Sequence, residues 1–269
     1  MTTPILDEQA RRSIELNVSV DVPASAVWAA LTDPKELSNW FAPTVSGSSE
    51  VGKTLCISWG SPIEWTTTVA TADPNRHVRW VDDPSQPLAV DWSIEGRGGK
   101  TLLRLVHSGW STEASWDEQY DATIAGWRYF LFNLRHYLQR HRGTRRTMIS
   151  TRLPSTIPRA ALWDRLMGPD GFALGVRDHA ALREGDHVRL QLGADPQRLE
   201  IVHYAAPTHL WGTLPGLSDA LLMIEMEPGV TEYHCGIWLS TYGLNGERLQ
   251  SLRDAMATLT DRVVAGSGK

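Results

Sequence analysis

The sequence predicts an α+β protein of two tandem domains, each a curved antiparallel sheet wrapped around a long C-terminal helix, with two short helices after the first strand. Three observations predict it. The 269-residue chain repeats itself at an offset of 135 residues. Each half holds runs of alternating apolar and polar residues separated by turn signals, the pattern of half-buried strands joined by hairpins. Each half ends in a long stretch with apolar residues three or four apart, the stripe of an amphipathic helix.

The repeat is clearest at PASAVW (23–28) against PRAALW (158–163), and it continues with Leu31 against Leu166 and Pro34 against Pro169. Upstream, Ile14, Leu16, Val18, Val20 and Val22 meet Ile149, Thr151, Leu153, Ser155 and Ile157. Downstream the offset becomes 133, with Gly52 against Gly185 and Pro74 against Pro207. A rival match, ADPNR from Ala72 against ADPQR from Ala194 at offset 122, reads as coincidence between two hairpin turns.

The elements follow in order. A strand at 13–22 leads to a short helix that Pro23 starts and that carries Val27, Trp28 and Leu31. Asp33, Pro34 and Glu36 predict a second short helix with a capping box. Strands are expected at 54–59, 63–70, 77–81, 88–94 and 101–110, separated by turns at Gly60–Ser61–Pro62, Asp73–Pro74–Asn75, Asp83–Pro84 and 96–100. Ser115 and Glu118 form a second capping-box pattern. Behind it Trp116, Tyr120, Ile124, Trp127, Leu131, Leu134 and Leu138 form the stripe of the long helix. Arg135, Arg140 and Arg142 gather at its C-terminal end, where the helix dipole favours cations. In the second half a strand is expected at 148–155 and a helix at 158–167. Strands follow at 187–192, 198–204, 210–213, 220–227 and 231–241, with turns at Pro215–Gly216 and Pro228–Gly229. A last helix spans 246–264. The expected organisation is an N-terminal extension (1–12), a first domain (13–142), a linker (143–147) and a shorter second domain (148–265).

Composition narrows the function classes. Apolar residues make up 42% and charged residues 21%, as in a globular protein. The net charge of −5 argues against a broad nucleic-acid surface. Cys56 and Cys235 are too far apart for a CxxC metal pair or a disulfide framework and read as small buried hydrophobes. No secretory leader and no window of membrane-spanning length is visible, so a cytoplasmic protein with no membrane span is expected. Trp occurs 12 times, against 10 for Phe and Tyr together, and nine of the 12 precede residue 143.

The segment VPASAVWAALTDPKELSNWFAP (22–43), with TLLRLVHSGW (101–110) and GWRYFLFNLRHYL (126–138), resembles the START-like, SRPBCC (birch-pollen-allergen-like) helix-grip superfamily. The resemblance is strongest to the branch named after the activator of heat-shock-protein ATPase. It spans about 13–142 well, and 147–265 weakly, mainly through the internal repeat. It implies a helix-grip fold in each half. A single long helix cannot fill the concavity of such a sheet completely, so a cavity between helix and sheet is the expected site. The resemblance, in which a His recurs at the strand position of His107, implies that this His faces that cavity. It implies no single activity, because the superfamily includes carriers, cyclases, aromatases and oxygenase domains.

Trp59, Trp65, Trp80 and Trp92 fall on four successive predicted strands. Trp28 and Trp163 occupy the repeated helix position and read as structural. If the strand faces of the four are concave, their rings line a cavity together with Trp127 and Tyr120, against the alternative that each simply packs as core. His107 shares a face with Leu103 and Leu105, where a core histidine is the commoner explanation. Glu64 should point away from Trp65. His136 and His141, five apart, should lie on different faces of a regular helix. No catalytic residues, no metal site and no cofactor are predicted: GxSxG, a Gly-rich phosphate loop, HExxH and metal-spaced clusters are all missing from the sequence. The basic run 135–146 reads as a helix end and a solvated linker.

These residues predict a binding module without evident catalysis. Its small hydrophobic ligand, aromatic or acyl, would sit among Trp59, Trp65, Trp80, Trp92, His107, Tyr120 and Trp127. Two alternatives stay open. One is an enzyme of the polyketide cyclase or aromatase kind using a cavity His. The other is a chaperone-cofactor or protein-interaction module. The two domains are expected to pack as a pseudo-dimer, the second as a structural or regulatory copy, and a homo-oligomer is compatible with the sequence.

Overall fold

The structure is a computed structural model that describes residues 11–61, 63–82, 88–154, 156–168, 171, 173–176, 178–192, 195–227 and 233–265. The chain divides into two compact units, Met1–Gly143 and Thr144–Lys269. The first contains β1 (Arg11–Val20), α1 (Ala24–Thr32), α2 (Pro34–Leu37), β2 (Thr44–Gly47), β3 (Thr54–Ser58), β4 (Glu64–Asp73), β5 (His77–Val81), β6 (Ala89–Arg97), β7 (Lys100–Ser111) and α3 (Asp117–His136). Its seven strands form one antiparallel sheet in the order β1-β7-β6-β5-β4-β3-β2. Consecutive strands from β2 to β7 pair with one another, and the α1–α2 segment carries the chain from β1 to the opposite edge of the sheet.

The second unit repeats this. It contains β8 (Arg146–Pro154), α4 (Arg159–Met167), β9 (Ala173–Leu174), β10 (His187–Leu190), β11 (Gln197–Ala205), β12 (His209–Leu214), β13 (Ala220–Met226), β14 (Tyr233–Tyr242) and α5 (Gly246–Ala265). Its sheet order, β8-β14-β13-β12-β11-β10-β9, is that of the first unit, strand for strand.

The repeat extends to single hydrogen bonds. Gly52 N–H donates to Val69 O and Val69 N–H to Lys53 O; in the second unit Gly185 N–H donates to Ile201 O and Ile201 N–H to Asp186 O. Both glycines have positive φ, +80° and +90°, a region that costs glycine nothing. The strand each one meets breaks register just beyond, between Val69 and Thr71 and between Ile201 and His203. The chain is two α+β helix-grip domains in tandem. The ADPNR segment joins β4 to β5, whereas Asp195–Arg198 of its look-alike leads into β11, a different position in the fold.

Several expectations need correction. Two edge strands, β2 and β9, were not expected; they are four and two residues long, too short to show alternation. Pro23 is the extended cap residue of α1 rather than its first helical residue. Asp33 does cap α2, accepting from Lys35 N–H at 2.8 Å, but Glu36 accepts from the Tyr137 hydroxyl at 2.7 Å. The segment Ala114–Trp116 is a 3-10 turn, so Trp116, not Ser115, occupies the cap position of α3 and makes no side-chain cap bond. Cys56 is exposed on the outer face of β3; Cys235 is buried, and both are free. The expected turns at Asp83–Pro84 and Pro228–Gly229, the Pro62 end of the 60–62 turn, Ser155, and the Pro169 partner of Pro34 lie outside the described residues.

The end of α3 holds a further surprise. Tyr137–His141 is a π-helical turn. Its i→i+5 bonding brings residues five apart onto one face, so His136 Nε2 and His141 Nε2 lie 3.2 Å apart rather than on different faces.

Candidate functional site

The concave face of the first sheet carries a row of residues set by strand register. Trp80 on β5 pairs with Val90 on β6, Val90 with His107 on β7, and His107 with Ile14 on β1. Simple alternation would next place Gly109 on this face. Gly109 has φ +93°, and the register against β1 slips between Arg12 and Ile14. The extra residue turns Trp110 into the cavity lining beside His107, with ring centroids 4.9 Å apart. A glycine is needed at this bulge because a side chain strains the left-handed region.

α3 lies over this face, and its two halves differ. From Asp117 to Gly126 no residue is buried; beyond it Trp127, Tyr129, Leu131, Asn133 and Leu134 are. The first half, only partly covered, roofs a cavity of about 360 Å³. Gln119, Thr123, Gly126, Trp127 and Phe130 of α3 line it from above. Ile57, Trp65, Thr67, Trp80, Asp82, Leu88, Val90, His107 and Trp110 line it from the sheet side, and Phe41 from the segment after α2. Gly126 leaves open space where a Cβ would stand. This volume lies at the lower end of the small-molecule pocket range.

Of the seven residues singled out from the sequence, Trp65, Trp80, His107 and Trp127 line the cavity. Trp92 is completely buried beneath it, edge-on to Trp40, Trp80 and Trp127. Trp59 stacks on Trp65 at 4.9 Å and 19°, backing the wall rather than forming it. Tyr120 donates its hydroxyl to Ser13 O at 2.9 Å, under the Arg12 guanidinium. Glu64 accepts from the Ser58 hydroxyl at 2.7 Å and is exposed. The sequence reading missed Phe41, Phe130, Thr67, Asp82 and Gly126. Thr67 shares the alternation of Trp65, and a glycine inside an apolar helical stripe is itself a signal; Asp82, beyond the end of β5, gave none.

Two titratable groups face the cavity. Trp127 Nε1–H donates to His107 Nδ1 at 3.0 Å. With Nδ1 accepting, the proton of the neutral ring resides on Nε2, which is a donor. Burial pushes the His107 pKa down to about 4, so the ring is neutral at pH 7. Asp82 stands at the rim, exposed on one side. Desolvation by the neighbouring wall raises its carboxyl above the ordinary value, and the Thr67 hydroxyl partly opposes this. No Lys or Arg lines the cavity among the described residues.

The second unit has no counterpart. Matching the two sheets by register sets Leu239 at the place of His107, Leu222 at Val90, Ile224 at Trp92 and Gly212 at Trp80. Counted from the helix starts, Leu252, Met256 and Leu259 of α5 replace Thr123, Trp127 and Phe130. All six of the non-glycine replacements are buried in one aliphatic core. A larger groove of about 760 Å³ runs along α5, lined by Gln191, Glu247, Gln250, Asp254, Thr258 and Arg262 among others. It is open, no aromatic residue lines it, and its titratable side chains Glu247, Asp254 and Arg262 are all exposed to solvent, so it is not the better candidate. Among the described residues no group of three metal-ligating side chains exists and no helix is long and apolar enough to cross a membrane.

Residues 21–139 match the family described as "Activator of Hsp90 ATPase homolog 1-like protein". No curated protein is matched by the chain. Among solved structures it is similar to the Aha1 dimer from Colwellia psychrerythraea, at 22% identity over 49% of this chain and 99% of that one, with a TM-score of 0.44. It is similar to DynU16, from the dynemicin biosynthetic locus, at 20% identity over 94% and 96%, with a TM-score of 0.42. It is also similar to the di-domain ARO/CYC BexL of the BE-7585A biosynthetic pathway, at 14% identity over 94% and 96%, with a TM-score of 0.44. The family match is confined to residues 21–139, nearly all of the first helix-grip domain, and a second domain of the same topology follows them.

Proposed function

We propose that the first domain binds a small, flat, largely apolar molecule in the cavity under α3. One observation carries the reading: a helix lying across an aromatic-walled cavity has Gly126 at the point where a side chain would fill it. Glycine inside a helix costs about 1 kcal/mol relative to alanine, and here the residue it displaces is the one that would plug the pocket. Burial of apolar surface, at about 25 cal/mol per Å², supplies the main driving force. The His107 Nε2–H orients the occupant. The second domain, aliphatic at the equivalent positions, has a structural role.

The test is a titration with the neutral planar dyes Nile red and 2-naphthol, followed by quenching of intrinsic Trp fluorescence. Wild type is expected to bind. Gly126→Leu, whose side chain enters open space, is expected to fold and to lose the response. Undiminished binding by Gly126→Leu overturns the location.

A second reading is favoured by the presence of both His107 and Asp82 in the lining of one cavity. A neutral imidazole and a carboxyl of raised pKa in one cavity supply the two kinds of group, base and acid, that proton-transfer enzymes use. On this reading the cavity is that of a cyclase- or aromatase-like enzyme, and His107→Gln abolishes turnover while binding persists. Protein interaction has no such support: among the described residues only Val51, Trp65, Leu102 and Val264 are large exposed apolar side chains.

A further inference from the structure

The charge inventory of the cavity narrows its ligand. We infer that the pocket takes an organic cation, a flat apolar body bearing a protonated amine or quaternary ammonium, with the cationic group at Asp82. The inference rests on the binding reading above and goes beyond it, since an apolar cavity alone does not choose between neutral, anionic and cationic ligands.

Three observations carry it. First, among the described lining residues Asp82 is the one charged side chain; no Lys or Arg faces the cavity. Arg12, beyond Trp110 and over the Tyr120 ring, is engaged by Asp117 at 2.6 Å. Second, His107 cannot supply a positive charge. Its Nδ1 is occupied by the Trp127 N–H, and burial keeps the ring neutral. An acyl carboxylate or a phosphate would therefore enter a low-dielectric site with no counter-charge, which is costly. Third, the wall is rich in aromatic rings. Trp65, Trp80 and Trp127 stand with Phe41 and Phe130, and aromatic faces attract cations while doing nothing for anions. Asp82 stands beside this wall and is itself only partly solvated, so an incoming ammonium would restore to the carboxylate the stabilisation that desolvation removes.

The aromatic and acyl ligands suggested by the sequence are thereby separated. A fatty acid is disfavoured and an aromatic amine favoured.

The experiment uses the full chain and three isosteric probes: 2-naphthylmethylamine, 2-naphthalenemethanol and 2-naphthoate, at pH 7.5. Affinities come from Trp fluorescence and are checked by calorimetry. The amine is expected to bind roughly tenfold tighter than the alcohol, as one cation–π and ion-pair site provides, and the carboxylate more weakly than the alcohol. Asp82→Asn is expected to erase the amine's advantage and leave the alcohol unchanged. A carboxylate that binds as well as the alcohol, or an amine that binds no better than it, overturns the proposal. So does an amine advantage that survives Asp82→Asn. The wild-type ranking alone decides the charge preference, so the outcome does not hang on the variant's folding. Alcohol binding without an amine preference removes this inference and leaves the binding reading intact; no binding by any probe removes both.

Discussion

Trp127 donates its indole N–H to His107 Nδ1 at 3.0 Å, joining α3 to β7 across the edge of the cavity. The bond gives the buried imidazole its acceptor role and leaves Nε2–H for the cavity. The histidine is lowered from an ordinary 6.5 to about 4 by burial, which has a consequence for acid stability. The unfolded chain takes up a proton near pH 6.5 and the folded chain only near 4, so the unfolded state gains protons first as pH falls. His107's contribution is complete above pH 6.5 and is lost between 6.5 and 4, by about 3 kcal/mol. Urea unfolding at pH 7 and pH 4.5 measures it. His107→Gln keeps an acceptor for Trp127 and does not titrate, so its loss over the same interval is expected to be clearly smaller. Equal losses would show that His107 is not the group responsible.

Gly126 is a helix-interior glycine with open space around its missing Cβ. Gly126→Ala is expected to raise stability by about 0.5–1 kcal/mol, through lower entropy in the unfolded chain and better helix propensity. Thermal unfolding reads this directly. A drop in Tm would mean that the α3 backbone at this point needs glycine for itself, and the cavity argument would lose its strongest residue.

The parts of the fold that could be read from sequence are those with sustained periodicity or self-similarity. The 135-residue repeat and the α3 stripe beyond Trp127 are of this kind, and the structure repeats them down to the Gly52–Val69 and Gly185–Ile201 bonds. The short edge strands β2 and β9 left no pattern because each has only one buried residue. Within the cavity, alternation identifies a face but not a depth. Trp80 and Trp92 share the concave face, yet Trp92 lies under Trp40 and out of reach of the cavity. Trp110 enters only because Gly109 breaks the alternation, and the His136–His141 approach needs a π turn that no 3.6-residue count anticipates.

Tyr137 closes the other end of α3. Its fully buried ring places the hydroxyl to donate to Glu36 at 2.7 Å and to accept from Asn39 Nδ2 at 3.1 Å and Gly143 N–H at 3.2 Å. These bonds tie α2, the π turn and the chain's exit from the first domain to one atom. Tyr137→Phe keeps the packing and removes the hydroxyl, with an expected loss of about 1–3 kcal/mol. Tyr137 does not line the cavity, so dye affinity measured well below the new Tm is expected to stay the same. A parallel loss of affinity would show that the network positions the cavity walls as well as the helix end.

The second domain makes its own test of close backbone approach. Gly212 sits on β12 opposite Ile201, next to the break in register that β11 shares with β4. A Cβ there would lie 2.2 Å from Glu200 O, a backbone atom held in the ladder, and 3.0 Å from Leu199 Cδ1. Neither can retreat without moving β11, so Gly212→Ala is expected to destabilise the second domain by at least about 2 kcal/mol. Gly216 offers the contrast within the same domain. Its Cβ would meet Gln197 Oε1 at 2.8 Å, the end of a side chain anchored only by one bond from Nε2 to Asp195 O, not a backbone atom of the ladder. Gly216→Ala is expected to cost less than about 1 kcal/mol. Chemical unfolding of the two variants separates the cases. Similar losses would mean that β11 yields at Glu200, and that the glycine at the place of Trp80 is an accident of a filled core rather than a requirement of strand approach.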